Sequence, residues 1–341
     1  MIKMEMVTGM VNILPQEENI ETKLLVVFGV VILGFLVLDL GVFQRHAHKV
    51  STRSALWQSI FWVAISLAFA VLILIFLDRE KAGTFLLAYI TEKALSVDNI
   101  FVWLVILKYF RIDEKFYHKI LFYGVIGAIF FRAVFITAGF YLIEKFHWIL
   151  YIFGAILIYS GIKLLRSDGE SYDPENSWVY RILTKRFRFV PNHGSSDFIH
   201  KENGKWYITT IFLTLIMVET TDIVFAVDSI PAVFAISQDK FVVYTSNIFA
   251  ILGLRAMFFL VSGVIDKFKY LQYGLSIVLI FIGLKMFAEL FDIKVPVWLS
   301  LTMVLGVIIA SIVISVFVTD GVEDKASPDK KMDTKKQEGE E

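Results

Sequence analysis

The sequence predicts an all-α polytopic membrane protein with about nine transmembrane helices, six of them arranged as an inverted repeat of three plus three spans. Three observations carry that expectation. Of the 341 residues 57% are hydrophobic, 32 are Phe, and the mean hydropathy is +0.68, far from the usage of soluble globular domains. Apolar runs recur at roughly 20 residues each, the length needed to cross about 30 Å of hydrocarbon. The chain also repeats an acidic pattern in two distant segments.

Taken in order, the spans are expected near 24–43, 57–77, 83–107, 120–143, 148–165, 207–236, 241–263, 270–290 and 296–318. Residues 1–23 form an N-terminal segment in which Glu17, Glu18 and Glu21 precede a full-length apolar run. A cleaved signal has a basic start and a short core, so the run is expected to remain as the first span. Of 33 Lys and Arg, 21 fall in 44–56, 108–119, 166–206, 264–269 and beyond 319, whereas the opposite loops hold seven. The positive-inside rule therefore puts the N-terminus outside and the C-terminus in the cytoplasm. Five basic residues, Lys93, Arg132, Lys163, Arg255 and Lys285, lie within or at the edge of spans.

Loop 166–206 contains Trp178-Val179-Tyr180-Arg181 and Lys185-Arg186-Phe187-Arg188, a basic amphipathic stretch suited either to an anionic membrane surface or to a solvated linker. Phe198 to Tyr207 carries Asn203-Gly204 between strand-like arms, the signature of a tight hairpin. The tail 319–341 is rich in Lys, Glu and Asp and is expected to be disordered. Net charge is zero with basic residues scattered between apolar runs, so no nucleic-acid face is expected and the bilayer is the expected partner. With no Cys, disulfides, thiol redox chemistry and thiolate metal ligands are excluded.

Thr91-Glu92-Lys93-Ala94-Leu95-Ser96-Val97-Asp98 aligns with Thr221-Asp222-Ile223-Val224-Phe225-Ala226-Val227-Asp228, an acid followed six residues later by Val-Asp. Downstream, Arg132-Ala133 matches Arg255-Ala256, and Lys145, Gly161 and Lys163 match Lys267, Gly283 and Lys285 at identical spacings. Each repeat, 83–165 and 207–290, covers three spans. Three is odd, so the halves cross the membrane in opposite senses, an architecture that places substrate sites near the midplane where repeats meet.

Glu92 and Asp98 in the third span, and Glu219, Asp222 and Asp228 in the sixth, each cost at least ~2.5–3.5 kcal/mol to place in hydrocarbon. Lys93, Arg132 and Arg255 supply three balancing charges, leaving two negative charges that a divalent cation would neutralise. The six His fall in loops or at span ends. Oxygen ligands alone suit Mn2+, Mg2+ or Ca2+, with Ser96, Asn99, Thr221, Ser229 and Asn247 as neutral ligands or supporting partners. No permanently bound cofactor is expected. A spacing of six residues sets Glu92 about 120° from Asp98, and Asp222 from Asp228, so either the helices break, as Pro231 would favour, or the second acid faces another neighbour. An intramembrane aspartyl protease built on Asp98 and Asp228 lacks the Gly-x-Gly-Asp surrounding such enzymes need, so no enzyme is expected. A membrane scaffold that uses loop 166–206 is the non-transporting alternative.

Glu92 to Asn99, Thr221-Asp222 with Phe225 to Ala232, and Ser246 to Arg255 resemble the TerC family, most closely its Alx-like branch of bacterial inner-membrane proteins, over about residues 24–318. The resemblance implies a manganese exporter of the LysE-like transporter superfamily, with Glu92, Asp98, Glu219, Asp222 and Asp228 as metal ligands. It also carries family labels of tellurium resistance and of a redox modulator. On that resemblance Mn2+ is the transported ion rather than a resident one, and protons are the counter-substrate. The topology is testable: reporters fused after Asp320 or within 166–206 should register as cytoplasmic and one near Glu80 as external, whereas a cytoplasmic Glu80 would undo the inverted repeat.

Overall fold

The computed structural model describes residues 20–32, 34, 52–166, 177–186, 189–190, 197–202, 205–262, 270–291, 293 and 295–326. The chain runs through α1 (20–32), α2 (Thr52–Phe76), α3 (Arg79–Tyr109), a 3-10 turn (Glu114–Phe116), α4 (Tyr117–Lys145), α5 (Ile149–Arg166) and α6 (Trp178–Arg186). Strands β1 (Phe189–Val190), β2 (Ile199–Glu202) and β3 (Lys205–Thr209) follow, then α7 (Thr210–Ile236), α8 (Lys240–Leu252), α9 (Leu254–Ser262), α10 (Leu271–Leu290) and α11 (Val297–Ala326).

Among the described residues six helices are long and apolar enough to span a bilayer, and seven if α8 and α9, bent by 41°, count as one. The predicted nine is not confirmed among the described residues. The third predicted span corresponds to α3, which has the length but carries Arg79, Glu80, Lys81, Glu92, Lys93 and Asp98 and so fails on apolarity. The first predicted span is described only as α1, most of its second half lying outside the described residues. The bend between α8 and α9 falls at Gly253, one residue from Leu252 and Leu254.

Local chemistry explains where helices begin. The Asp78 side chain accepts from Lys81 N at 2.7 Å, and Asp239 from Val242 N at 3.3 Å, each satisfying a donor that the first helical turn leaves open. Helix α7 continues through Pro231, so of the two alternatives the break that Pro231 would favour does not occur there. β2 and β3 pair antiparallel, with Glu202 opposite Lys205, which is the predicted hairpin; β1 adds to β3 in parallel, a pairing the sequence did not suggest. α11 carries helix to Ala326, into the segment expected to be disordered, and 327–341 lie outside the described residues.

The repeat is visible in the packing. α5 lies along α10, α3 along α8, and α4 along α7, while α3 and α7 meet at the centre. At the α5–α10 crossing a Cβ on Gly161 would stand 2.8 Å from the Ser276 carbonyl, and one on Gly283 would stand 2.8 Å from the Gly154 carbonyl. Gly154 and Ser276 are equivalent under the same offset that matches Gly161 to Gly283, so the two contacts are related by a pseudo-two-fold axis. Only glycine permits backbones this close, the device by which helices pack where no hydrophobic effect draws them together. Side chains pointing away, such as Trp57, Ile75 and Tyr159, are largely exposed, as a hydrocarbon-facing surface requires.

Gly161→Leu should therefore destabilise the protein by at least about 1–3 kcal/mol, because the group it meets is backbone and cannot step aside. Gly306, which has nothing within 4 Å, provides the control. Thermal unfolding in detergent should drop for Gly161→Leu and barely move for Gly306→Leu; equal midpoints would remove the close crossing.

Candidate functional site

The centre of the bundle is an ion-pair cluster drawn from both repeats. Arg132 on α4, 1% exposed, pairs through Nη1 with Glu92 on α3, and its Nε lies 3.7 Å from Asp222 Oδ2 on α7. Its Nη1 also donates to Asn247 Oδ1 on α8 at 3.0 Å. Asn99 on α3 donates from Nδ2 to Asp222 Oδ1 at 3.1 Å. Glu92, Asn99, Arg132, Asp222 and Asn247 are all buried. Two acids share one guanidinium, the residue best suited to such a role because its planar fork stays charged and offers several donors.

Asp228 stands elsewhere. α7 is continuous, so the six-residue spacing turns Asp228 about 120° from Asp222, away from the cluster and toward α5, where Ser160 Oγ donates to its Oδ1 at 2.6 Å. That settles the open alternative in favour of a different neighbour. A cavity of about 630 Å³ opens here, and its walls include Asn99, Arg132, Ser160, Lys163, Asp228 and Ser229. Asp228 and Arg132 of the central cluster thus line one cavity. The hydroxyl oxygen of Ser229 is buried without a hydrogen-bond partner. Val224 and Val227, on the apolar rim, are more than half exposed.

Glu219 occupies a third environment. A side chain added to Gly127 on α4 would overlap the Glu219 carboxylate, so this glycine makes the room the acid uses. Its Oε2 is buried without a hydrogen-bond partner. Glu219 and Asp222, three residues apart, share one face of α7. Asp98 lies within α3, but its side chain falls outside the described residues.

Of the neutral candidates, Asn99 and Asn247 join the cluster, whereas Ser96 and Thr221 bond the carbonyls of Glu92 and Val218 in their own helices, at 2.7 and 2.8 Å. Lys93 does not face the acids in the cluster: its Nζ donates to the Ala250 carbonyl at 2.8 Å, close against Gly253, and so ties α3 to the last turn of α8 beside the bend. Arg255 is half-buried on the first turn of α9. Among the described residues no three His, Asp or Glu side chains converge on one point. The four acids with described side chains are therefore distributed over neighbouring environments rather than closed into a single cage.

A second cavity of about 580 Å³ is lined by Asp78, Glu80, Lys81, Asp239 and Lys285 among others. Lys163 and Lys285 are equivalent in the repeat, and each lines one of the two cavities. Lys81, at the start of α3, pairs with Glu21 and lies 3.3 Å from Asp239. Burial lowers its basicity, but Glu21 and Asp239 outweigh that and hold it above the ordinary lysine value. Sequence reasoning missed Ser160 and Gly127. Gly127 carries a signal in the small-residue spacing it shares with Gly124 along α4; Ser160 carries none.

The acidic segments of α3 and α7 fall inside a match to the Integral membrane protein TerC family that covers residues 77–323. The chain belongs to the TerC family. Similar proteins include a membrane protein of Rickettsia bellii, 41% identical over 291 residues that cover 85% of this chain and 96% of that one. Another, from Myxococcus xanthus, is 43% identical over 284 residues, covering 83% and 89%. A third, from Escherichia coli K12, bears the name Alx as a proposed membrane-bound redox modulator and is 40% identical over 300 residues, covering 85% and 93%. No solved structure matches the chain. This TerC-family chain is an integral, multi-pass membrane protein.

Arg132→Gln should cost about 3–5 kcal/mol, since it leaves Glu92 and Asp222 buried without their cation. Adding Glu92→Gln should recover part of that loss, because the two sites are in contact and their effects are coupled. The check is the unfolding midpoint of purified protein. Independent, additive losses would mean the pair contributes nothing jointly.

Proposed function

We propose that this chain is a carrier of the bacterial inner membrane that exports a hard divalent cation, Mn2+ foremost, and returns protons. One observation supports the reading above others: one cavity is lined by both Asp228 and Arg132, and Arg132 belongs to the Glu92–Arg132–Asp222 cluster where the two repeats meet. Carboxylate, amide and hydroxyl oxygens are the donors that Mn2+ and its hard neighbours prefer. Asp228 and Ser160 form the entry, with Asn99 and Ser229 as supporting oxygens. Glu92, Asp222, Glu219 and Asp98 complete the ligand set as the bundle rearranges, and Arg132 offsets one of the two charges of Glu92 and Asp222 while no cation is present.

Metal binding to carboxylates competes with protons. Export should therefore fall as the loading side is acidified and rise when the receiving side is the more acidic. A carrier indifferent to both gradients would not be a proton exchanger.

A second reading comes from the E. coli relative, whose name speaks of redox modulation. This chain has no Cys, so thiol chemistry of its own is excluded, and we read any redox effect as downstream of ion movement. In liposomes with a manganese-sensitive dye on the receiving side, Asp228→Asn should slow transport at least tenfold, equivalent to about 1.4 kcal/mol, with protein level matched. Transport near that of the unmodified chain would remove Asp228 from the path. A redox response that persists in a variant with no metal flux would favour the second reading.

A further inference from the structure

We propose that α6 and the β2–β3 hairpin form a docking face for the head groups of anionic phospholipids. Residues 177–209 hold six Lys and Arg against two acids, Asp197 and Glu202. At 100° per residue, Trp178, Arg181, Ile182 and Lys185 fall within about 100° of one another on α6. All four are exposed, Trp178 at 69% and Ile182 at 52%. Tyr180, on the opposite face, stacks against Phe110 at the end of α3, with ring centroids 6.1 Å apart.

The hairpin repeats the arrangement. Lys201 faces Trp206 across the strands, and its Nζ lies 5.1 Å from the indole ring. Ile199, two residues from Lys201 and so on the same side of the strand, is half-exposed, and Trp206 is 67% exposed. Phe198 points the other way, beneath Lys119 and against Tyr123 and Phe212. Tyr180 and Phe198 pack on the same hydrophobic core cluster, so both elements project from one end of the bundle.

Indole rings and aliphatic tips beside Lys and Arg are what a head-group layer binds: the apolar parts enter the acyl boundary and the cations meet phosphate. Each basic residue near such a surface adds a favourable, salt-screened attraction. An acidic protein would satisfy the charge but leave Trp178, Ile182 and Trp206 without a role.

The test uses the full-length protein in detergent. Adding phosphatidylglycerol should raise the unfolding midpoint by several degrees, phosphatidylcholine should not, and R181Q/K185Q/K201Q should lose at least half of the shift. An undiminished shift in that variant would overturn the proposal. Independently, brominated phosphatidylglycerol in vesicles should quench Trp178 and Trp206, so Trp178→Phe and Trp206→Phe should each reduce the quenchable fluorescence. No reduction in either would equally overturn it, and a polyglutamate peptide that stabilises as well as phosphatidylglycerol would point to an acidic protein partner instead.

Discussion

Everything at the centre of this molecule depends on how one buried guanidinium is shared. Arg132 meets an acid from each repeat, Glu92 on α3 and Asp222 on α7, and its third partner, Asn247, sits on α8. Four helices are thereby held to one point, two from each half. A charge in this environment is tolerated only when paired, and breaking a buried pair costs several kcal/mol. The orientation of α4 between the halves follows from that requirement. The two acids outnumber their base, which keeps the cluster receptive to a further positive charge.

The glycine crossing supplies what electrostatics cannot. Polar groups can align helices but do not draw backbones together; the paired contacts at Gly161 and Gly283 do, and they repeat under the pseudo-two-fold relation. With α5 pressed to α10, the face of α5 that carries Ser160 and Lys163 looks onto α7 and walls the Asp228 cavity. Close packing on one side of α5 and open space on the other belong to one arrangement. Such a combination suits a carrier, since a rigid crossing lets a repeat move as a body while the cavity beside it changes access. The bend at Gly253, tied to α3 by Lys93, marks a second place where the regular helix gives way.

The environments of the acids differ in kind. Glu92 and Asp222 are held by charge, Asp228 by a hydroxyl at the wall of a cavity, and Glu219 in a niche left by Gly127. A cation passing from one to another would meet oxygen donors at each stage without any stage being a closed, high-affinity cage. That is the expectation for transport, in which binding strong enough to capture must remain weak enough to release.

Much was legible in the chain itself because it is local. Apolar runs, the Asn203-Gly204 hairpin, the acidic repeat in α3 and α7, and membership of the TerC family are patterns of neighbouring residues or of segments compared with each other. The identity of the unusual charges was equally plain, since hydrocarbon makes any buried acid conspicuous. Tertiary structure decided the rest. Which acid meets which base depends on helix rotation: Arg132 selects Glu92 and Asp222, Lys93 turns to a carbonyl of α8, and Asp228 finds Ser160, 68 positions away. Pro231 stays within a continuous helix, against its intrinsic propensity, while the bend falls at Gly253. Packing overrides propensity wherever neighbouring helices fix the backbone, and no spacing along one helix records what the next helix presents to it.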